Sequence, residues 1–182
     1  MYINLKNNND PMDEVYDIVD DKDKVIGKAK RMHFLKDLTL MRRSAHIWLK
    51  NSEGKFWMHQ RSSKKDLQPL AWTSAAAGFI RSKYRNKTEI KKEALRELKE
   101  EIGVVTDIKL IKIMPLRGLK TGDMMVYWYV GEYNGHFKLN FNEVADLKVF
   151  DIAEVWKMHL AKKIELTEPY IREIEFYLKN NL

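Results

Sequence analysis

The chain has 182 residues, of which 45% are hydrophobic and 11% aromatic; this supplies a packed core and excludes a disordered chain. With no cysteine, disulfides, thiolate metal sites and thiol nucleophiles are all excluded. A formal net charge of +7 suits anionic small molecules, but Lys and Arg are scattered without a long basic run, so nucleic acid is not the expected partner.

Residues 1–12 are Asn-rich and polar and are expected to form a flexible arm, leaving 13–182 as one domain. The N-terminus lacks the apolar segment of a signal peptide, and no apolar run approaches the roughly 20 residues that span a bilayer. A cytoplasmic protein without a membrane role is the expectation. Alternation over 14–20 and again from Val25, around the turn at Asp21–Lys24, predicts a hairpin over 14–29. The stretch from Arg31 to Leu40 has weak helical spacing. Ser44–Leu49 and Lys55–Arg61 read as strands joined by the turn Asn51–Gly54, with Gly54 free to take a positive φ. A polar loop with paired lysines follows over 62–69. Trp72–Ile80 is apolar and small, and Ala75-Ala76-Ala77-Gly78 allows close approach of another chain segment or a ligand. Arg81, Lys83 and Arg85 mark a basic loop.

The stretch from Thr88 to Gly103 is the centre of the sequence. At 100° per residue, Ile90, Ala94, Leu95, Leu98 and Ile102 form an apolar arc. Glu93, Glu97, Glu100 and Glu101 lie beside it, and Lys92, Arg96 and Lys99 occupy the remaining side. Asn86 or Thr88 caps the helix, Asn86 with the spacing of a capping box to Glu89, and Gly103 ends it. Carboxylates crowded on one face form either a solvated surface or a cradle for a cation. Beyond it, Ile108–Ile113 and Met124–Val130 read as strands, the second central, with a loop over 115–123. A short strand is expected at Leu147–Phe150, a helix over 152–162, and a last helix opening with Pro169 at its first position, its apolar stripe formed by Tyr170, Ile174, Tyr177 and Leu178.

Arg96-Glu97-Leu98-Lys99-Glu100-Glu101-Ile102-Gly103-Val104 matches the second half of the Nudix box at every position, and Gly78 matches the glycine that opens it. The chain thus resembles the Nudix hydrolases. The gap from Gly78 to the position of the first box Glu is four residues longer than the family pattern, and that position holds Thr88. Glu89 and Glu93 are close enough to substitute. Over roughly residues 14–156, including Gln60-Arg61-Ser62 and Trp72-Thr73, the likeness extends to the branch containing isopentenyl-diphosphate isomerase and its hydrolase relatives. The isomerase needs a Cys after the Trp-Thr segment and His ligands; this chain has no Cys, and Arg42-Arg43 and Phe79 stand where His would be.

The resemblance implies an α/β/α sandwich with a mixed sheet, and Mg²⁺-dependent hydrolysis, with Mn²⁺ as a substitute, of a diphosphate linkage in a nucleoside diphosphate derivative. It implies Glu97, Glu100 and Glu101, with the Ala77 carbonyl, as metal ligands, Glu100 doubling as the group that orients water, and Arg96 as their organiser. Hard cations take such oxygen donors, and Glu97 and Glu101 are one turn apart. Glu143 is the expected outlying carboxylate, with Asp123 and Glu132 behind it. Arg61, Lys64, Gly78 and Arg81 are the candidates for substrate contact. His46 and His59 on strands are read as hydrogen-bonded core histidines, and Trp48, Trp57, Trp72 and Trp128 as core. Two rivals stay open: an isopentenyl-diphosphate isomerase-like protein, and a non-catalytic Nudix-fold module for nucleotide or RNA. A homodimer is compatible with either.

Overall fold

The computed structural model describes residues 10–84 and 86–180. Arg85 and most of the expected N-terminal arm lie outside them. Strands β1 (Val15–Val19) and β2 (Val25–Lys30) form the expected antiparallel hairpin, and α1 (Arg31–Lys36) resolves the ambiguous stretch as a short helix. Then come β3 (Arg42–Lys50), β4 (Phe56–Arg61), β5 (Trp72–Thr73) and β6 (Ala76–Phe79). The central helix α2 (Lys87–Ile102) leads to β7 (Ile108–Leu116), β8 (Met124–Glu132), β9 (Val144–Phe150), α3 (Ile152–Leu160) and α4 (Glu168–Asn180).

All these strands join one mixed sheet. β3 and β8 run parallel at its centre, from Arg42↔Met124 to Lys50↔Glu132, while β3 also pairs antiparallel with β6. Alternation along β3 divides the core. Ala45, Ile47 and Leu49 face α2 and pack with Ile90, Ala94, Leu98 and Ile102. Trp48 goes to the opposite face, with Met58, Trp128, Ile152, Val155, Tyr170 and Ile174. Each fully buried aliphatic side chain in these layers contributes about 2 kcal/mol, so the apolar arc read from the sequence is what fixes α2 to the sheet. Asn86 is the cap: its side chain accepts the Glu89 N–H, and Glu89 returns the bond to the Asn86 N–H. Gly103 ends the helix at φ 72°, where a Cβ would also fall 2.7 Å from that of Lys138.

Element boundaries shift from expectation by a few residues at several places. β7 runs through Pro115 to Leu116 because it is an edge strand, paired among the described strands only with β8, and tolerates a missing N–H there. β9 starts at Val144, not Leu147, so Glu143 directly precedes it. Pro169 is the second residue of α4, after Glu168. No helix among the described residues is long and apolar enough to cross a membrane.

Candidate active site

α2, β6 and the loops around them border a cleft of about 240 Å³. Glu97, Glu100, Glu101 and Arg96 of α2, Ala77 and Gly78 of β6, and Arg61, Arg81 and Glu143 all line it. Gly78 is required by the approach of α2: a Cβ there would lie 2.7 Å from Glu97 Cγ and Oε2. The Ala77 N–H donates to Glu101 Oε2 at 3.1 Å, which ties the helix to the strand at the same point.

Arg96 organises the carboxylates. Its Nε and Nη2 donate to the two oxygens of Glu93 at 2.9 Å, and its remaining N–H groups engage Glu97 and Glu100. Glu93 is fully buried and also accepts from Arg81 at 2.7 and 2.9 Å. Burial opposes its ionisation, but hydrogen bonds from Arg96, Arg81 and Tyr84 outweigh burial and hold its pKa at about 2. Glu97 goes the other way: burial first, with Arg96 opposing and the charges of Glu93 and Glu100 reinforcing, pushes it up to about 7. Burial, then Glu97 and Glu143, raises Glu101 well above the ordinary carboxylate range. As the side chains stand, no three His, Asp or Glu residues among those described converge at metal-ligand spacing, because Glu97 and Glu100 are turned onto Arg96.

The cations are not quite those expected. Lys64 points away, donating to Asn142 Oδ1 at 2.9 Å, and does not line the cleft. Its neighbour Lys65 does, bonding Glu143 Oε2 at 2.6 Å and Asp10 Oδ1 at 2.5 Å. Adjacent loop residues face different ways, and sequence does not say which faces in. Arg31 also lines the cleft, held through Nε and Nη2 by Asp66 at 2.9 Å. Asp123, second to Glu143 in the sequence reading, is engaged by Arg117 and the Gly118 N–H and does not line the cleft; Glu132 is exposed at the end of β8. His59 Nδ1–H donates to the Ala75 carbonyl at 3.1 Å, and burial lowers its pKa to about 3, so it is a neutral core histidine. His46 is hydrogen-bonded too, but it lines the cleft as well. Trp48 and Trp128 are core, while Trp57 and Trp72 are half-buried.

A strand, a close-approach glycine and an acidic helix ending in Gly103 thus meet at one cleft. The NUDIX domain family matches residues 40–172 of the chain. The chain belongs to the Nudix hydrolase family. It is 30% identical over 115 residues to a Nudix hydrolase of Deinococcus radiodurans, covering 63% of this chain and 67% of that one. An uncharacterised Nudix hydrolase of Nostoc is 28% identical over 127 residues, covering 70% and 75%. In fold, it is similar to a Deinococcus radiodurans crystal structure with a TM-score of 0.72 at 21% identity, covering 89% of this chain and 98% of that one. The Nudix domain of Shewanella oneidensis NrtR, solved with ADP-ribose, has a TM-score of 0.61 at 16% identity, covering 85% and 100%.

Within this Nudix chain the departure at Thr88 has a local explanation. Thr88 is exposed in the first turn of α2, and Glu89 is occupied by the capping box. Glu93, one turn before Glu97, provides the buried carboxylate that holds Arg96.

Proposed function

We propose that this Nudix hydrolase cleaves a diphosphate linkage in a nucleoside diphosphate derivative, with Mg²⁺ or Mn²⁺ as the cation. The observation that carries the reading is the meeting of half-buried Glu97 and buried Glu101 with the Ala77–Gly78 strand, in a cleft that also holds Arg61, Lys65 and Arg81; burial raises the pKa of both carboxyls. Hard oxygen donors kept out of water and reluctant to ionise are a set whose charge a divalent cation would stabilise, so these residues fit the group. Glu97, Glu100 and Glu101, with the Ala77 carbonyl, would hold it. When bound, such an ion neutralises phosphate charge and acidifies water.

The chain's own residues do the rest. Arg96 gives up Glu97 and Glu100 while keeping Glu93. Gly78 leaves room for Glu97. Arg61, Lys65 and Arg81 neutralise the phosphates. Glu100 or Glu143 accepts a proton as the water oxygen bonds to phosphorus and the bond to the leaving phosphate breaks, its electron pair staying on the leaving oxygen. The partner is a small diphosphate, not nucleic acid. A binding module without turnover is not favoured, because Glu93 supports Arg96 despite Thr88. The lack of any cysteine argues against isomerase chemistry.

The test is a panel of diphosphates, ADP-ribose included because of the NrtR complex, assayed for product release across a titration of Mg²⁺ and Mn²⁺. Metal-dependent release is expected from at least one compound. Glu100→Gln and Glu101→Gln should lower it by about a hundredfold or more with the fold intact. Release from none of the panel refutes the reading.

A further inference from the structure

The cleft extends beyond the acidic helix. Ala45 and Ile47 pack toward α2 and Trp48 packs on the opposite face, so alternation puts Ser44 and His46 on the α4 side of the sheet. Both still line the same cleft as Glu97 and Glu101. The cleft therefore wraps around β6, which among the described strands pairs with β3 alone.

His46 contributes to the α4-side wall and is 3% exposed. Its Nδ1 is hydrogen-bonded to Glu173 of α4, which is fully buried and accepts the Trp48 indole N–H on its other oxygen at 2.7 Å. With Glu173 accepting on both oxygens, Nδ1 is the donor of this pair, and an imidazole that carries its proton on Nδ1 presents Nε2 as an acceptor. The surroundings of Glu173 are apolar, Tyr170 and Ile174 among them, so a hydrophobic residue would pack there at less desolvation cost. Neither the acidic end of the cleft nor its cations needs this pair.

Three more polar groups line the same cleft. Thr121 Oγ1 is buried and has no hydrogen-bond partner among the described residues. Thr73 Oγ1 accepts the Thr167 hydroxyl at 3.0 Å, so its own proton is available to donate. Gln68 Oε1 accepts the Glu168 N–H at 3.1 Å, leaving its amide N–H₂ as a donor.

We propose that this α4-side chamber takes the group joined to the diphosphate, that this group is hydroxylated as a sugar is, and that His46 is the acceptor that selects it, with Glu173 as a positioning residue. The proposal rests on the diphosphate reading of the acidic end. A hydroxyl donates and accepts, and so satisfies an acceptor beside several donors. A hydrocarbon chain would strip water from His46 Nε2, Thr73 and Gln68, leave Thr121 Oγ1 without a partner, and return nothing. Sites built to hydrogen-bond a substrate hydroxyl reject analogues without one by large factors.

Calorimetry on the full-length Glu100→Gln protein with Mg²⁺ reads binding without turnover, with ADP-ribose and isopentenyl diphosphate as probes. ADP-ribose is expected to bind about tenfold or more tightly than isopentenyl diphosphate. Thr121→Val exchanges an unpartnered hydroxyl for a methyl of similar size; it should weaken ADP-ribose severalfold with no loss of Tm. His46→Leu should erase the preference and His46→Gln, which keeps a polar end, should restore part of it. Glu173→Gln should weaken ADP-ribose and move the His46 ¹⁵N resonances, a change that packing alone does not produce. Equal binding of the two probes, binding of neither, or a preference unchanged in both Thr121→Val and His46→Leu overturns the proposal. Wild-type turnover is scored separately: His46-dependent binding of ADP-ribose without hydrolysis of any diphosphate refutes the hydrolase reading and leaves the chamber standing.

Discussion

Glu97→Gln should stabilise the cation-free protein while abolishing its response to Mg²⁺. In the folded chain the Glu97 carboxyl is raised from 4.5 to about 7, through burial first and then through the unequal contest between Arg96 and the neighbouring glutamates. Its side chain is only 15% exposed, so solvent screening is slight. A folded pKa above the unfolded value means that ionisation opposes folding. The cost is absent below about 4.5, grows as pH rises through the interval, and is complete above 7 at about 3 kcal/mol. A glutamine of the same shape removes it. For a chain of this length that is roughly 10 °C in Tm at pH 8. Thermal and urea denaturation in chelator, from pH 5 to 8, measures the difference. Mg²⁺ should then raise the Tm of the wild type and leave that of the variant unchanged. A variant less stable than wild type at pH 8, or a difference that does not grow with pH, would refute the electrostatic argument.

Gly78→Ala should be severe, since its Cβ would lie 2.7 Å from Glu97 Cγ; hydrolysis should fall by about tenfold or more, and unchanged kinetics would mean that α2 moves freely. Lys65→Ala should raise KM for a diphosphate by about tenfold, whereas Lys64→Ala should change it little, because only Lys65 lines the cleft; equal effects would contradict the placement. Arg42 is 1% exposed, has no hydrogen-bond partner among the described residues for any guanidinium nitrogen, and has its pKa lowered to about 9, chiefly by burial. Its stacking on Phe79 at 3.8 Å offsets only part of that cost, so Arg42→Met should raise stability by about 1 kcal/mol in urea melts, and a loss of several would show that the stacking dominates.

What could be read from the sequence was local. The acidic face, the Asn86 cap and the Gly103 terminus follow from spacings of three or four residues on α2, and the strands from alternation. The close approach at Gly78 was legible as a run of small residues, although its partner, Glu97, was not. What escaped the sequence depended on contacts distant along the chain. His46 and Glu173 are 127 residues apart, and Arg31 and Asp66 are 35 apart, so no local pattern joins them. The choice of Lys65 over Lys64 turns on the path of one loop. Pro115 reads as a strand breaker until β7 is seen to be an edge.

The long gap after Gly78 and the missing glutamate at 88 are two sides of one arrangement. The basic loop brings Arg81 onto Glu93, and Glu93 in turn holds Arg96. With its pKa held at about 2, Glu93 is ionised at neutral pH, which would leave Arg96 one fixed partner if Glu97 and Glu100 turn toward a cation as proposed. A pKa lowered from 4.5 contributes stability that is complete above 4.5 and lost as pH falls toward 2, about 3 kcal/mol in all. Glu93→Gln should therefore cost about that much in urea denaturation from pH 7 down to about 4.5, shrinking only as pH falls further toward 2, and should lower kcat for the proposed hydrolysis by misplacing Arg96. Thr88→Glu, at an exposed first-turn position, should do neither. If Thr88→Glu restores activity to Glu93→Gln, then a carboxylate at 88 reaches Arg96 after all, and the assignment of that role to Glu93 is wrong.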